Sequence, residues 1–466
     1  MNIEDILKLG DYSTILAELS KDKVTVQNGY PEDRSYQKIK KWQKYFNGDH
    51  PILINPERAN YTTEGGKYTT RSRIVLNYPQ QIVKTATAMV LGEPADLVLN
   101  STKDTKESER FALFDKVWKQ YAGMDSFNME LLSQLMIESK IVEKLYFKGG
   151  VQKPENIRSM RMSAKDGDEI YAHYSDEGEV DAIVRKYSVT EVENGAFATK
   201  SRTDIYTQSK EITLDENNNL ISETGRTNEY NYAIYYDQFI NEWHNVSGLI
   251  DAQELVASQT RDVNKRVGNP SIVAKGNVKE MPDPNEDVKV FQMDAVGSVE
   301  TGFTYGDVSF LESEGAREAV DRETQKFDNY IYKFTWPDLS FLLRELKTGN
   351  LSGTAIKLMF TDALASVALK KAVIDKGFQQ KIDVIKEMLF VCTRDSGYLE
   401  LDITLSFNSI LPDNITEVIQ QLQDSVNART TSQKQATYKN PINKGAEEEV
   451  WEEIQVEENK GGRELI

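Results

Sequence analysis

Two helical patterns with a short strand-like insert between them place the strongest constraint on how this chain folds. The first pattern runs from 248 to 267 behind Ser247, a residue type that is common at helix N-caps. The second follows Ser313 and carries apolar residues to Phe334 at spacings close to three and four. Between them, residues 271–305 contain short β-like runs broken by prolines. Because the helices are similar in length, we expect the insert to lie at their far ends.

A long connection and a long apolar helix follow this pair. The connection, 336–350, contains Pro337 and Gly349. It exceeds the usual loop length of about 4–6 residues, which is typical of functional loops. The helix predicted over 352–393 would be roughly 60 Å long. Gly377 lies inside this helix, where we expect a bend.

The rest of the chain divides into helical and strand-like regions. Residues 1 to about 145 favour helices, and 145 to about 239 favour strands separated by turns. Within the second region, 170–174 and 180–187 are predicted to form a hairpin. A further strand is predicted over 401–410, with helices after it.

The composition limits the classes of function. The chain has 466 residues, of which 28% are charged, and a formal net charge of -18. Affinity for DNA phosphates comes from Lys and Arg, so this chain is a poor candidate for gripping DNA, although it could surround it. Cys392 is the only cysteine, which excludes an intrachain disulfide and a thiolate metal cluster. The sequence contains neither a P-loop nor a histidine–glutamate zinc motif.

Several other patterns have ordinary interpretations. No signal-peptide pattern and no run of about 18 apolar residues occurs, so we expect no membrane association. The glycine pairs at 297–302 and 349–353 fit turns, and the acidic residues of 283–287 fit a solvated loop better than a metal site. Taken alone, the two helices would also fit a helical hairpin packed inside one domain.

Five short segments, taken in order, resemble the portal proteins of tailed double-stranded-DNA bacteriophages. Residues 73–79, Arg-Ile-Val-Leu-Asn-Tyr-Pro, followed by Leu-Gly-Glu-Pro at 91–94, are similar to a segment near the start of the wing in that family. Val-Ser-Phe-Leu at 308–311 resembles the return from clip to stem. Pro-Asp-Leu at 337–339 and the run 349–357 look like the tunnel loop and the start of the long wing helix. The order and spacing of these segments carry the resemblance, which covers about 30 to 455.

The resemblance implies an α+β portal fold. Its parts are a mixed helix/strand wing, a two-helix stem, a small β-containing clip, a long wing helix and a helical C-terminal crown. On this chain the implied parts are the wing at 1–245, helical and then β-rich; the first stem helix at 246–268; the clip at 269–307; the second stem helix at 308–334; the tunnel loop at 335–351; the long wing helix and a strand at 352–411; and the crown at 412–466.

The resemblance also implies a structural role, with no enzymatic activity and no cofactor. Portal proteins form a ring, typically of twelve subunits, at one capsid vertex, and double-stranded DNA is packaged and ejected through it. Terminase supplies the ATP hydrolysis and docks on the ring, as do head–tail adaptors; capsid and scaffolding proteins are further partners. We therefore expect a homo-oligomer in the virion, assembled in the host cytoplasm. The rival hypothesis is a soluble nucleic-acid-processing enzyme with an unrecognised site.

Two groups of residues are candidate functional sites. The channel group lies in the tunnel loop and comprises Trp336, Pro337, Asp338, Arg344, Glu345, Lys347 and Asn350. The clip group, expected to dock partner proteins, comprises Lys275, Lys279, Asp283, Glu286, Asp287 and Lys289. In the tunnel loop the cations and carboxylates balance, so the loop could touch phosphates transiently without holding them.

Overall fold

The fold combines helices and antiparallel strands, which confirms the α+β class. The computed structural model describes residues 3–8, 10–20, 26–27, 30–31, 34–62, 68–100, 105–193, 196–225, 230–267, 272–275, 277–280, 292–294, 296–298, 302–304, 307–310, 314–335, 360–407, 415–443 and 447–461. The helices are α1 (Ile3–Leu7), α2 (Tyr12–Leu19), α3 (Tyr36–Phe46), α4 (Tyr78–Leu91), α5 (Thr105–Lys116), α6 (Met124–Glu138), α7 (Ser247–Val267), α8 (Glu314–Lys333), α9 (Thr361–Thr393), α10 (Ile415–Asn427), α11 (Gln433–Lys439) and α12 (Glu447–Gly461).

The strands are mostly short, apart from one long hairpin. They are β1 (Val26–Gln27), β2 (Tyr30–Pro31), β3 (Tyr61–Thr62), β4 (Tyr68–Thr69), β5 (Asp96–Leu99), β6 (Lys140–Phe147), β7 (Ile157–Met162), β8 (Glu169–Tyr174), β9 (Val180–Glu193), β10 (Ala196–Thr207), β11 (Lys210–Leu214), β12 (Leu220–Gly225), β13 (Ala233–Asp237), β14 (Ile272–Lys275), β15 (Asn277–Glu280), β16 (Gln292–Asp294), β17 (Val296–Ser298), β18 (Gly302–Thr304), β19 (Asp307–Phe310) and β20 (Ile403–Ser406).

The larger of two compact units contains a five-stranded antiparallel sheet in the order β12-β11-β10-β9-β8. This unit comprises Met1–Tyr36, Val83–Ile240 and Trp336–Ile466. Ala182 and Val184 point to one face of the sheet and pack with residues of α1 and α2. Between them, Ile183 points to the other face and packs with residues of β6, β7 and β13. The alternation of the sequence therefore places apolar side chains on both faces of this sheet.

Helix α9 passes through the core of the larger unit. Ile374, Phe378 and Ile382 are buried along it, and its 33 residues span about 50 Å. Gly377 lies on this helix where the ring of Tyr236 comes close, and a Cβ atom built on the glycine would lie 2.3 Å from a ring carbon. This close approach, which the sequence pattern did not reveal, explains why a glycine is needed there.

The second unit comprises Gln37–Ile82 and Asn241–Thr335 and contains α7 and α8. The prediction that Ser247 caps α7 is wrong in detail. A 3-10 turn, His244–Val246, leads directly into the helix, and Ser247 has helical φ and ψ of -55° and -44°. Its hydroxyl donates a hydrogen bond of 3.0 Å to the carbonyl oxygen of His244. Because the turn continues into the helix, Ser247 is the first residue of α7 and not the residue that caps it.

The predicted hairpin over 170–174 and 180–187 is confirmed as the antiparallel pair β8–β9. The predicted strand over 401–410 is also present as β20, which pairs with β5. Within the described part of the chain, no helix combines the length and the apolar character needed to cross a membrane.

Candidate functional site

The insert between α7 and α8 is closed at its base by its own first and last strands. β14 and β19 pair antiparallel, with Ile272 opposite Phe310 and Lys275 opposite Asp307. Two smaller antiparallel pairs, β15–β16 and β17–β18, lie between them in sequence. The two ends of the insert therefore lie side by side. The prediction of a β-containing insert is confirmed.

The predicted site residues lie mostly outside the described residues. Lys275 ends β14, and Lys279 lies in β15 at a register irregularity opposite β16. The other members of the clip group, and the whole channel group, fall in segments outside the described residues, so their roles stay predictions; they are Asp283, Glu286, Asp287 and Lys289, and Trp336, Pro337, Asp338, Arg344, Glu345, Lys347 and Asn350.

The two helices that carry the insert are joined by polar contacts. The side-chain amide of Gln253 on α7 donates to the carboxylate of Asp328 on α8 over 3.3 Å. Tyr78, at the start of α4, donates its hydroxyl proton to the same carboxylate. Near the end of α8, Ile331 and Tyr332 are buried, and the Tyr332 hydroxyl donates to Gln81 over 2.8 Å. Tyr78, which lies in the 73–79 motif, and Gln81, which follows it, thus contact α8, while Gln253 and Asp328 join α7 to α8.

An extended segment, residues 72–76, runs antiparallel along α7 and is called the strap below. Three alternate backbone N–H groups of the strap donate to side chains on one face of the helix. Ser72 donates to Asp262 over 2.9 Å, Ile74 to Ser258 over 2.9 Å, and Leu76 to Glu254 over 2.8 Å.

The spacing of these hydrogen bonds follows from backbone geometry. Two residues of extended chain advance about 6.6 Å, and four residues of α-helix advance about 6.0 Å. Acceptors four residues apart on α7 therefore match donors two residues apart on the strap. The strap shares residues 73–76 with the 73–79 motif that carries part of the family resemblance, and the contacts of Ile74 and Leu76 with α7 give that part of the motif a physical reason.

A buried polar cluster anchors the upstream chain to the same helix. His50 Nδ1 lies 2.5 Å from Glu254 Oε1, and both side chains are fully buried. The His50 ring stacks on Tyr45 with centroids 4.0 Å apart, and the Tyr45 hydroxyl donates to Asp251 over 2.8 Å. Burial, together with the neighbouring charge of Glu254, raises the pKa of Asp251 above its ordinary value.

Arg58 closes the cluster at the other end of the strap. Its guanidinium pairs with Asp262 and donates to the carbonyl oxygens of Ser72 and Ser258 over 2.8 and 3.2 Å. Burial acts to raise the pKa of Asp262, but the hydrogen bonds from Ser72 and Arg58 outweigh it and hold the pKa below its ordinary value. Glu254 and Asp262 of α7 are thus engaged in holding the strap.

The side chains along α7 make hydrogen bonds and ion pairs that join segments of the chain to one another. Within the described part of the chain, no group of three or more His, Cys, Asp or Glu side chains is placed to hold a metal ion. Sequence reasoning found α7, α8 and the insert but missed the strap and the His50–Glu254 pair. The acceptors at 254, 258 and 262, spaced by four on one helical face, were the available signal.

Comparisons with known proteins place this geometry in context. A family model described as "Phage portal protein, SPP1 Gp6-like" matches residues 30–463. No curated protein matches the sequence.

Three similar solved structures, each 9% identical to this chain, come from gene transfer agent (GTA) particles. The neck of the empty particle, computed with C6 symmetry, has a TM-score of 0.39 and covers 75% of this chain and 85% of that chain. The virion of the native particle has a TM-score of 0.40 and covers 85% and 90%. The neck of the native particle, computed with C12 symmetry, has a TM-score of 0.40 and covers 77% and 89%.

Proposed function

Because this chain belongs to the SPP1 Gp6-like family of phage portal proteins, we propose that copies of it form a closed ring at one vertex of a phage-type capsid. The ring encloses the channel through which double-stranded DNA is packaged and ejected. The family match over 30–463 is the observation that carries this proposal. The role is structural: terminase supplies the ATP hydrolysis, and this chain acts as its platform. Capsid and scaffolding proteins contact the ring during assembly in the host cytoplasm.

The exposed faces of the stem helices support assembly into a ring wall. Tyr330 and Phe334 lie one helical turn apart at the end of α8, are exposed, and stack with centroids 6.0 Å apart. Val263 is exposed on α7. Tyr330 and Phe334 form one exposed patch, and contiguous apolar patches are typical of contact surfaces. A neighbouring copy in a ring would cover this patch.

The acidic charge supports a channel through which DNA slides. Each phosphate that a protein neutralises adds to its affinity for DNA. A chain with a formal net charge of -18 offers little such affinity. We propose that the channel group in 336–350 approaches the DNA and touches it only transiently.

The clip is the proposed docking surface for terminase and head–tail adaptors. The pairing of its first and last strands, β14 and β19, supports this proposal, because the chain enters and leaves the insert at one place. Lys275 and Lys279 lie on its first two strands. The rest of the clip group belongs to the same proposal.

Native mass measurement and negative-stain imaging of the purified protein test the ring. A ring of twelve 53.0 kDa chains has a mass of about 640 kDa and a central hole. A 53.0 kDa monomer with metal-dependent nuclease turnover would contradict the proposal and support the rival enzyme hypothesis.

A further inference from the structure

A two-stranded ribbon extends beyond the five-stranded sheet of the larger unit. β9 and β10 pair continuously from Ala182 and Thr207 to Glu193 and Ala196. β8 accompanies β9 only up to Lys186, and β11 accompanies β10 only from Thr203. Among the described strands, residues 187–193 and 196–202 therefore pair only with each other. This ribbon is about 20 Å long.

The two faces of the ribbon differ in charge. One face carries the directly opposed pairs Ser188–Ser201, Thr190–Thr199 and Val192–Phe197, all exposed and uncharged. The other face carries the pairs Tyr187–Arg202, Val189–Lys200 and Glu191–Ala198. On this second face, Glu191 forms ion pairs with Arg202 and Lys200, so the charges are paired within the ribbon.

The uncharged face of the ribbon lies on the same side as the face of the sheet that α1 and α2 cover. Val184 and Ile205 pack against α1 and α2, and strand alternation puts Ser188 and Ser201 on the same side. The helical cover thus ends where the ribbon begins. Near the ribbon tip, Val192 is 66% exposed and Phe197 is 84% exposed.

The ribbon would gain stability from a partner that covers its uncharged face. The strands are anchored in the five-stranded sheet at one end, but beyond that sheet only two strands support each other. Burial of the exposed valine and phenylalanine side chains near the tip would remove apolar surface from water, which is favourable.

We propose that the uncharged face of the ribbon docks on a second copy of this chain, the adjacent subunit of the ring. This inference rests on the ring proposed above. A closed ring requires each copy to present one surface to the next copy and a different one to the previous copy. The ribbon supplies one of these surfaces.

Charge favours a second copy as the occupant. Each copy carries a formal net charge of -18, so two copies repel each other overall. A contact through serine, threonine, valine and phenylalanine side chains adds no like charges to that repulsion. A basic partner would instead be expected to select an acidic face, and Glu191, on the opposite face, is already paired with Arg202 and Lys200.

The test compares two double variants of the full chain. Val192→Ser with Phe197→Ser should raise the protein concentration at which rings form by at least about tenfold. Circular dichroism should stay unchanged, because both side chains are exposed in the single chain. Val189→Ser with Ala198→Ser removes apolar surface from the opposite face and is the matched control; it should leave the concentration unchanged within about twofold.

Hydrogen exchange gives a second readout that does not depend on a variant. The ribbon amides of the unaltered protein should exchange more slowly in rings than in the dissociated chain. Normal rings from the Val192→Ser/Phe197→Ser variant, with ribbon amides that exchange equally fast in both states, would overturn the ribbon proposal and leave the ring standing. Protection that arises only when capsid protein is added would overturn it as well. If the unaltered protein forms no rings, the proposed function fails instead.

Discussion

At the residue scale, Lys381 of α9 occupies a fully buried position in the larger unit. Its Nζ lies 2.7 Å from Glu143 Oε1 and 2.6 Å from Asn128 Oδ1. The other carboxylate oxygen of Glu143 accepts a hydrogen bond of 3.0 Å from Tyr236. Burial lowers the pKa of Lys381, although the charge of Glu143 opposes this effect. Each charge therefore stabilises the other in the buried site. Burying either one without its partner would lower the stability of the folded protein.

Lys381→Met should destabilise the protein by about 3–5 kcal/mol, because it leaves Glu143 buried without its cation. Lys376→Met is the matched control on the same helix. Lys376 pairs with Glu179 at 3.1 Å, but both side chains are exposed, so its loss should cost about 0–1 kcal/mol. Denaturant unfolding followed by circular dichroism measures both. Equal effects of the two substitutions would contradict the account of the buried pair.

Asp251 and Asp262 on α7 should respond oppositely to neutralisation. Asp251 has a pKa raised above 3.8, so its ionised form costs stability once the pH rises through that pKa. Asp262 has a pKa held below 3.8, so it contributes stability above pH 3.8 and loses it as the pH falls through the lowered value. At pH 7, Asp251→Asn should stabilise slightly, and Asp262→Asn should destabilise by about 1–3 kcal/mol.

Thermal unfolding of both variants across pH checks these signs. The deficit of Asp262→Asn relative to the unaltered protein should shrink as the pH falls from 3.8 toward the lowered pKa, at which the native carboxylate becomes protonated. A deficit that grows toward low pH, or a strong destabilisation by Asp251→Asn at pH 7, would show that the assignment is wrong.

At the element scale, each of the three strap N–H groups that bond to α7 has one side-chain acceptor on that helix. Ser258 is fully buried and accepts the N–H of Ile74. Ser258→Ala should leave that partly buried N–H without its acceptor, at a cost of about 1 kcal/mol. Faster hydrogen exchange at the Ile74 amide is the direct measurement. Gln259→Ala, at the exposed neighbouring position, is the control and should leave that exchange unchanged. An Ile74 exchange rate that Ser258→Ala does not change would contradict the pairing of the strap with α7.

Deletion of the insert between α7 and α8 tests its proposed role as a docking surface. Replacing residues 276–306 by a short Gly-Ser linker keeps the β14–β19 pair at the base of the insert, since the deleted part lies between those strands. DNA packaging should be lost because the proposed docking surface for terminase and adaptors is gone, while α7 and α8 stay paired. Packaging assays on the assembled particle measure this outcome. Normal packaging by the shortened protein would exclude the clip as the platform.

At the scale of the whole molecule, the elements with a strong local period could be predicted from the sequence. α7, α8 and the β8–β9 hairpin follow from apolar spacings within a few turns of chain. The strap could not be predicted in this way, because its acceptors lie 178–190 residues further along the chain. The burial of Lys381 was likewise hidden, since a lysine on a helix normally faces solvent. Its partner Glu143 lies on a strand far away in sequence.

A single-particle reconstruction of the purified protein tests the central claim most directly. We expect a closed ring of about twelve copies in which α7 and α8 of each copy surround a central channel. The clip should lie at one end of that channel, with 336–350 facing its interior. A monomer, an open filament, or a ring whose channel is lined by other elements would contradict the account.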